Sequence, residues 1–444
     1  MQKTQTTIFF FLYFSSVSFG QIPVASGDSL YKVNKRVITK QVFYPFLVAD
    51  SYNSTMTMKM ASQNANSTAR VLWGYVNSIS NKKDSEWMGL IFFGLETIFY
   101  PFSHEEGHRS VLSYENIGSV ADAFPNLSGL AIVRGVSDSM LIQLRANKLP
   151  TYIRLHTGGL ESDYMRLMEL RKIAAFDEDL PLNTLHDRML TTSAIAGYYF
   201  LSIFPQIQPH IVKSKNQLEN DIVGHDVYGA IKNLFRPNIP FYRYTYYENL
   251  TGVEKKYLNK VAFMSLANIV GPTYLKLKAS NGTVVSLGLG YTMVPFGSML
   301  EGTIYVHDKE SDFDWGHTIR DYENNSGNFG LGLGFFIRNW KVSPNFRLDA
   351  EGEFFRQPLN LDFNTYEFFY GGSADLLASY DLRQKYKLPF LVNLGVRVKT
   401  DGFVLGEPSL KSGIFFRAGC TLVLNREVKS VRSVKTKAMK WTSL

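Results

Sequence analysis

Cysteine is nearly absent from this chain. Cys420 is the only one in 444 residues, so no disulfide can form within the chain. Exported eukaryotic proteins of this size more often carry several bridges, and their lack points to a bacterial periplasm or outer membrane. Charge is sparse, at 19% of residues. Long apolar runs are missing too: each greasy stretch is shorter than the roughly 20 residues a bilayer demands, or carries an acid such as Glu96 inside it. That pattern argues for buried helices in place of membrane-spanning ones. No cysteine follows Ser18-Phe19-Gly20, which removes a lipoprotein reading. No internal repeat is visible beyond a strand rhythm. Gly330, Gly332 and Gly334 lie within that rhythm and open no helix, so a phosphate-binding loop is excluded.

What is present is ample apolar material, 45% of the residues, in a chain too long for one ordinary domain. Met1-Gln2-Lys3, the apolar stretch Ile8 to Phe14 and the small residues ending at Gly20 have the layout of a signal peptide over residues 1–20. Residues 21–83 read as a polar, extended N-terminal segment, and 84–277 as helical. Residues 278–425 read as strands, and 426–444 as a basic tail that holds part of the +8 formal charge. The tail reads as solvated, with anionic lipid as the sharper option. An exported chain leaves nucleic acid out as a partner.

From about Gly282 the hydrophobic period becomes two. Val285, Leu287, Leu289, Tyr291 and Met293 alternate with Ser286, Gly288, Gly290 and Thr292, and Val392, Leu394, Val396 and Val398 alternate with Asn393, Gly395, Arg397 and Lys399. Stretches at 329–335, 346–351, 299–307, 368–380 and 414–424 bring the total to about eight candidate strands. One greasy face and one small or charged face, on segments near 10 residues, resemble outer-membrane β-barrel strands, whose outside meets lipid. A soluble antiparallel sheet also alternates.

The helical segment carries His104-Glu105-Glu106-Gly107-His108 at the end of the apolar run Trp87–Phe102, where Pro101 is predicted to kink or restart the helix. On a helix, histidines four apart share one face and reach one zinc, with Glu105 beside the open position. Burying two histidines and two acids is costly without a partner, and a cation is an obvious one. The ten residues Pro101 to Ser110 resemble the zinc metallopeptidases of the zincin group.

That resemblance implies that His104 and His108 bind Zn2+, that Glu105 is the general base for zinc-activated water, and that the substrate is a protein or peptide. Glu106 faces elsewhere. Arg109-Ser110-Val111 lacks the glycine and third histidine of the metzincin branch, so the third ligand comes from elsewhere. In the gluzincin branch it is a glutamate on a later helix. Glu161 fits that place: it opens an amphipathic helix to Lys172 after the turn-like Thr157-Gly158-Gly159. The acid often found four residues later is Met165 here, and His156, Asp163 and Glu169 stay open as alternatives. Intramembrane site-2-type proteases also use H-E-x-G-H, but their Leu-Asp-Gly ligand motif is not seen. Glu96 reads equally as a carboxylate supporting the site or a hydrogen-bonded core acid. His186, His210, His225, His307 and His317 read as surface or loop histidines, and Cys420 has no neighbouring histidine to make it a nucleophile.

The expectation is therefore an α+β chain, a helical H-E-x-x-H domain followed by an antiparallel β-barrel-like domain of about eight strands. It describes an exported bacterial zinc metallopeptidase, in the outer membrane through its barrel with a periplasmic domain, or in the periplasm. The alternative is a non-enzymatic outer-membrane barrel, a channel or assembly factor, with a structural metal or none.

Overall fold

The computed structural model describes residues 34–432 apart from 51–55, 80–83, 123–130, 180, 209–210, 212, 273–274, 309–310 and 312. The expected signal peptide and the end of the basic tail lie outside the described residues, as do His210 and the side chain of Glu96. Residues 42–424 form one compact unit, and a second comprises 1–41 with 425–444.

The chain begins with β1 (Asn34–Asp50), α1 (Met58–Ile79), α2 (Asp84–Tyr114), the short hairpin β2 (Val120–Asp122) and β3 (Ile132–Arg134), α3 (Asp138–Asn147), α4 (Leu149–Ala175) and α5 (Pro181–Leu201). It continues through α6 (Asp226–Phe235), α7 (Gly252–Met264), a 3-10 turn at Ser265–Ile269, β4 (Lys276–Lys278), β5 (Val284–Val294), β6 (Gly297–His307), β7 (Asp314–Glu323) and β8 (Phe329–Ser343). The last elements are β9 (Phe346–Pro358), β10 (Phe368–Asp381), the single-turn α8 (Arg383–Tyr386), β11 (Phe390–Lys399) and β12 (Gly413–Arg432).

The architecture is α+β, with helical and sheet regions. The expected barrel of about eight strands is instead an open ten-stranded sheet in the order β1-β12-β11-β10-β9-β8-β7-β6-β5-β4. Strand β7 and the edge strands β1 and β4 were not foreseen. The helical and sheet regions share one apolar core, in which Tyr164, Ile195, Tyr199, Val227 and Leu258 meet Tyr291, Phe296, Tyr322 and Phe355. That common core is why a boundary near residue 277 does not divide the chain into two compact units. β12 also runs to Arg432, seven residues into the segment read as basic tail.

The segment read as extended over 21–83 contains a 22-residue helix, α1. Its buried face mixes Met58, Ala61, Trp73 and Val76 with the polar Ser62, Asn66, Ser67 and Arg70, which dilutes the apolar signal. Ser62 Oγ donates to the Ser162 carbonyl at 3.0 Å, Asn66 Nδ2 to the Arg166 carbonyl at 3.1 Å, and Arg70 Nε to Asp179 at 2.9 Å. Arg166 of α4 gathers three helices: it donates to Asn66 of α1 (3.0 Å), Ser103 of α2 (3.2 Å) and Asp187 of α5 (2.5 Å). Pro101 lies inside a single continuous 31-residue α2.

An open sheet has two edges with unpaired backbone groups. Both are met by helical side chains here, along β1 and along the part of β5 beyond Val284–Ser286, the three residues that β4 pairs. On β1, the Asn64 amide accepts from Leu47 N and donates to Leu47 O, each at 2.9 Å, while Ser67 Oγ and Arg70 Nη2 donate to the carbonyls of Pro45 (2.5 Å) and Phe43 (3.1 Å). On β5, Asn268 accepts from Tyr291 N at 3.0 Å and donates to Tyr291 O at 2.8 Å; Met293 N donates to the Tyr199 hydroxyl at 3.0 Å. Each asparagine stands in for one residue of a missing strand.

The faces of the sheet are inverted relative to a water-soluble one. On β11, Leu394 is 63% exposed while Arg397 is 5% exposed; on β12, Phe416 is 65% exposed while Arg417 is 7%. The same holds on β5 and β8, where Leu287, Leu289, Leu331 and Leu333 are exposed and Ser286, Gly288, Gly330 and Gly332 are buried. The inner charges pair across strands: Arg320 with Glu301 (2.7 Å) and with Glu353, Asp375 with Arg397 (2.6 Å) and with Arg417.

Replacing Asn268 with leucine, its near-isostere, strands the backbone N–H and C=O of Tyr291. The expected cost is roughly 2–5 kcal/mol in denaturant unfolding. Asn281→Leu, at an exposed turn, is expected to change stability by no more than about 0.5 kcal/mol.

Candidate metal centre

α2 carries the H-E-x-x-H sequence and packs more extensively on α4 than on any other described helix. The Gly158-Gly159 pair, read from sequence as a turn opening a helix, instead lies in the middle of the 27-residue α4. Its small size serves close approach. A Cβ on Gly107 would fall 2.3 Å from the Gly158 carbonyl oxygen, so the two backbones nearly touch. A Cβ on Gly159 would fall 2.4 Å from Nε2 of both His104 and His108. The crossing therefore leaves both imidazoles lying against bare backbone, aimed at one point.

The geometry of that point is specific. His104 Nε2 and His108 Nε2 are 3.3 Å apart, and Asp226 Oδ2 lies 3.1 Å from the first and 3.4 Å from the second. Zinc bonds of 2.0–2.1 Å in a tetrahedron place their ligand atoms about 3.3 Å apart, so the three atoms match one face of such a site. Both Nδ1 atoms are occupied: His104 Nδ1 faces Asp163 Oδ2 at 2.7 Å and His108 Nδ1 faces the Leu155 carbonyl at 2.6 Å. With the protons on Nδ1, both Nε2 lone pairs are left for a cation. The donor set fits zinc, and His104, His108 and Asp226 would hold it.

Electrostatics agree with the geometry. Burial opposes charging His104, but the carboxylates of Asp163 and Asp226 outweigh it and hold the imidazolium well above its usual range. His108 is raised in the same way, mainly by Asp226. Burial would raise Asp226, yet His108 and His104 hold it below the ordinary carboxylate range. Without a cation these carboxylates draw a proton onto each Nε2, and a bound metal would take those protons' place. Burial pushes the Glu105 carboxyl up to about 7 against the pull of His104 and His108. Glu106 faces away, bonded to Arg109 at 2.7 and 3.0 Å.

Glu161 is not brought to this centre. It stands two residues beyond Gly159, roughly 200° around α4, and so faces away from α2. Its carboxylate is taken by Arg154 (2.6 and 2.9 Å) and the backbone N–H of Gly406 (2.7 Å), and Arg154 also bonds the carbonyls of Val404, Glu407 and Pro408. This pair ties the loop between β11 and β12 to α4. Of the alternatives, Asp163 supports His104, and Glu169 pairs with Arg338 at 2.6 and 2.9 Å. His156 lies buried against Gly229 with no partner on either ring nitrogen, and burial lowers its pKa to about 3.

Asp226 is the residue the sequence reading missed. It is the first residue of α6, after Gly224-His225, and Gly224 has φ +70°. The available signal was an acid opening a short apolar helix, next to a histidine read as a loop residue. His225 is in fact buried. Other histidines read as surface or loop residues lie in regular elements: His186 of α5 is half-buried and stacks on Trp73 at 4.3 Å, His307 of β6 is half-buried and bonds Asp314 at 2.6 Å, and His317 of β7 is exposed. A further residue, Tyr198 of α5, lies with its ring 5.9 Å from that of His104.

No protein-family model matches the chain, and no curated protein matches it. Among solved structures it is similar to a NanC porin in a rhombohedral crystal form, at 11% identity and a TM-score of 0.25, over 33% of this chain and 74% of that one. A likeness of that size does not define the fold. Among the described residues, no helix is long and apolar enough to cross a membrane.

Zinc affinity, measured by competition with a chromogenic chelator, is expected to vanish in Asp226→Ala and to fall about 10–100-fold in Asp163→Asn. Glu161→Gln is expected to keep its zinc affinity. It should instead lose roughly 3–5 kcal/mol of stability, because Arg154 is left buried beside a neutral partner.

Proposed function

We propose that this chain is a zinc-dependent peptide hydrolase held in a bacterial outer membrane by its sheet. The observation that carries the catalytic half is the triangle of His104, His108 and Asp226, with sides of 3.1–3.4 Å, beside the glutamate of an H-E-x-x-H sequence. Zinc, when bound, supplies a Lewis acid that lowers the pKa of water towards 7. The protein's own groups do the rest. Glu105 follows His104 on α2 and takes the proton of the attacking water, then returns it to the leaving amine. Tyr198, whose ring lies 5.9 Å from that of His104, is the candidate donor for charge developing on the carbonyl oxygen. Asp163 and the Leu155 carbonyl fix the two imidazoles so that no reorientation accompanies the reaction.

The membrane half rests on the inverted sheet. Among the described residues, many apolar side chains on the outside of β5 to β12 are exposed, an arrangement costly in water and favourable in lipid. Inward charges on the same strands are buried and paired, as a polar interior requires. The alternative of a non-enzymatic channel has less support. The cavity between α4 and the sheet is about 190 Å³, and its charged lining is committed to ion pairs such as Lys59–Asp375 and Arg338–Glu169.

Glu105→Gln is expected to lower turnover of a quenched fluorescent peptide library by about 10²–10⁴-fold while zinc per chain is unchanged. Unaltered turnover in that variant would remove the assigned base. A chelator should abolish the wild-type activity, and added zinc should restore it.

A further inference from the structure

The apolar outer surface does not stop at the last long strand. Leu289 on the outer face of β5 is 41% exposed, and its backbone N–H donates to the Val270 carbonyl at 3.0 Å, across the capped edge. Ile269, the neighbour of Val270, is 51% exposed, Leu266 is 38% exposed, and Phe263 at the end of α7 is 60% exposed. The Phe263 ring meets Phe200 edge-on at 5.9 Å, and Phe200 lies 5.9 Å from Phe204, itself exposed. Strand, turn and two helix ends thus present one continuous greasy surface.

The exposed stripe of α7 also changes character along its length. It opens on Val253, 64% exposed, then shows Lys256, Asn259 and Lys260, the last paired with Glu323, and the next turns show Phe263, Leu266 and Ile269. Amines followed within a turn by aromatic and branched side chains suit a helix that passes from phosphate headgroups into acyl chains.

We infer that the helical region is itself a bilayer-contacting wall: the α7 end and the Ser265–Ile269 turn continue the lipid-facing surface of β5, with phospholipid as the occupant. The inference rests on the proposed membrane reading of the sheet, and it deepens that reading. In lipid, an open edge must be covered, because no water is there to satisfy its backbone groups. Asn268 and Val270 supply that cover from the same segment whose outward side chains are apolar. The metal centre then sits in a helical layer that reaches the bilayer, and not in a domain standing free in the periplasm.

The test uses the full chain with Cys420→Ser and single cysteines placed by Leu331→Cys, Phe263→Cys, Ile269→Cys or Lys256→Cys, each labelled with bimane. Leu266→Cys replaces either helical position if that variant does not insert. Proteins are inserted into dioleoylphosphatidylcholine vesicles with or without the dibrominated analogue of that lipid. Fluorescence is expected to be lost to brominated lipid at 331, 263 and 269 and retained at 256. Loss at 331 alone overturns the inference and leaves the membrane reading of the sheet standing. No loss at 331 overturns both. Protection of 263 and 269 that disappears on dilution to one protein per vesicle assigns the face to a second copy, and likewise overturns the inference.

Discussion

The rest of the structure depends on how an unclosed sheet satisfies its two edges. A strand without a neighbour exposes a row of N–H and C=O groups that must find partners or meet water. Here Asn64 and Asn268 each make the paired donor and acceptor contacts that a residue of an adjacent strand would make. The consequence is mechanical as well as energetic. Because one edge is capped by α1 and the other by the segment after α7, the helices between them are drawn against the inner face of the sheet. α4, nearly all of whose side chains are buried, lies in that interior.

The burial of α4 sets the terms for the metal centre. A helix so enclosed cannot turn a polar side chain to water, so every charged group on it has a protein partner or a task. Arg166 collects α1, α2 and α5; Arg154 and Glu161 pin the loop after β11; Asp163 orients His104. The glycines occupy the one face where α2 must come close. Between them these contacts fix the relative rotation of α2 and α4, and that rotation decides whether His104 and His108 converge.

Much of this was legible in the chain itself. The two-residue period gave most strands, because alternation survives whichever face is turned outward. The helix-period histidine pair gave half of the metal centre, because its spacing is local. What escaped was non-local or polar. α1 mixes serine, asparagine and arginine with Met58, Ala61, Trp73 and Val76 on its buried face, which dilutes a hydrophobic pattern. The glycine pair in α4 looked like a turn, since nothing in the sequence announces that another helix crosses there. Asp226 stands 118 positions after His108, so its convergence with the histidines is a property of the packed fold alone.

The contrast between Glu161 and Asp226 shows what separates a structural carboxylate from a candidate ligand. Both are buried and both face positive groups. The Glu161 carboxylate has three fixed donors, two from Arg154 and one from the Gly406 backbone, which leave little of it for a metal. Asp226 Oδ2 lies 3.1 and 3.4 Å from the two imidazole Nε2 atoms, whose protons a cation could replace. A carboxylate wholly satisfied by the protein stabilises the fold around a buried cation. One held by titratable imidazoles, and not by permanent N–H donors, can exchange their protons for a cation. Distance to the H-E-x-x-H helix is therefore a weaker criterion for the third ligand than the identity of what already holds each carboxylate.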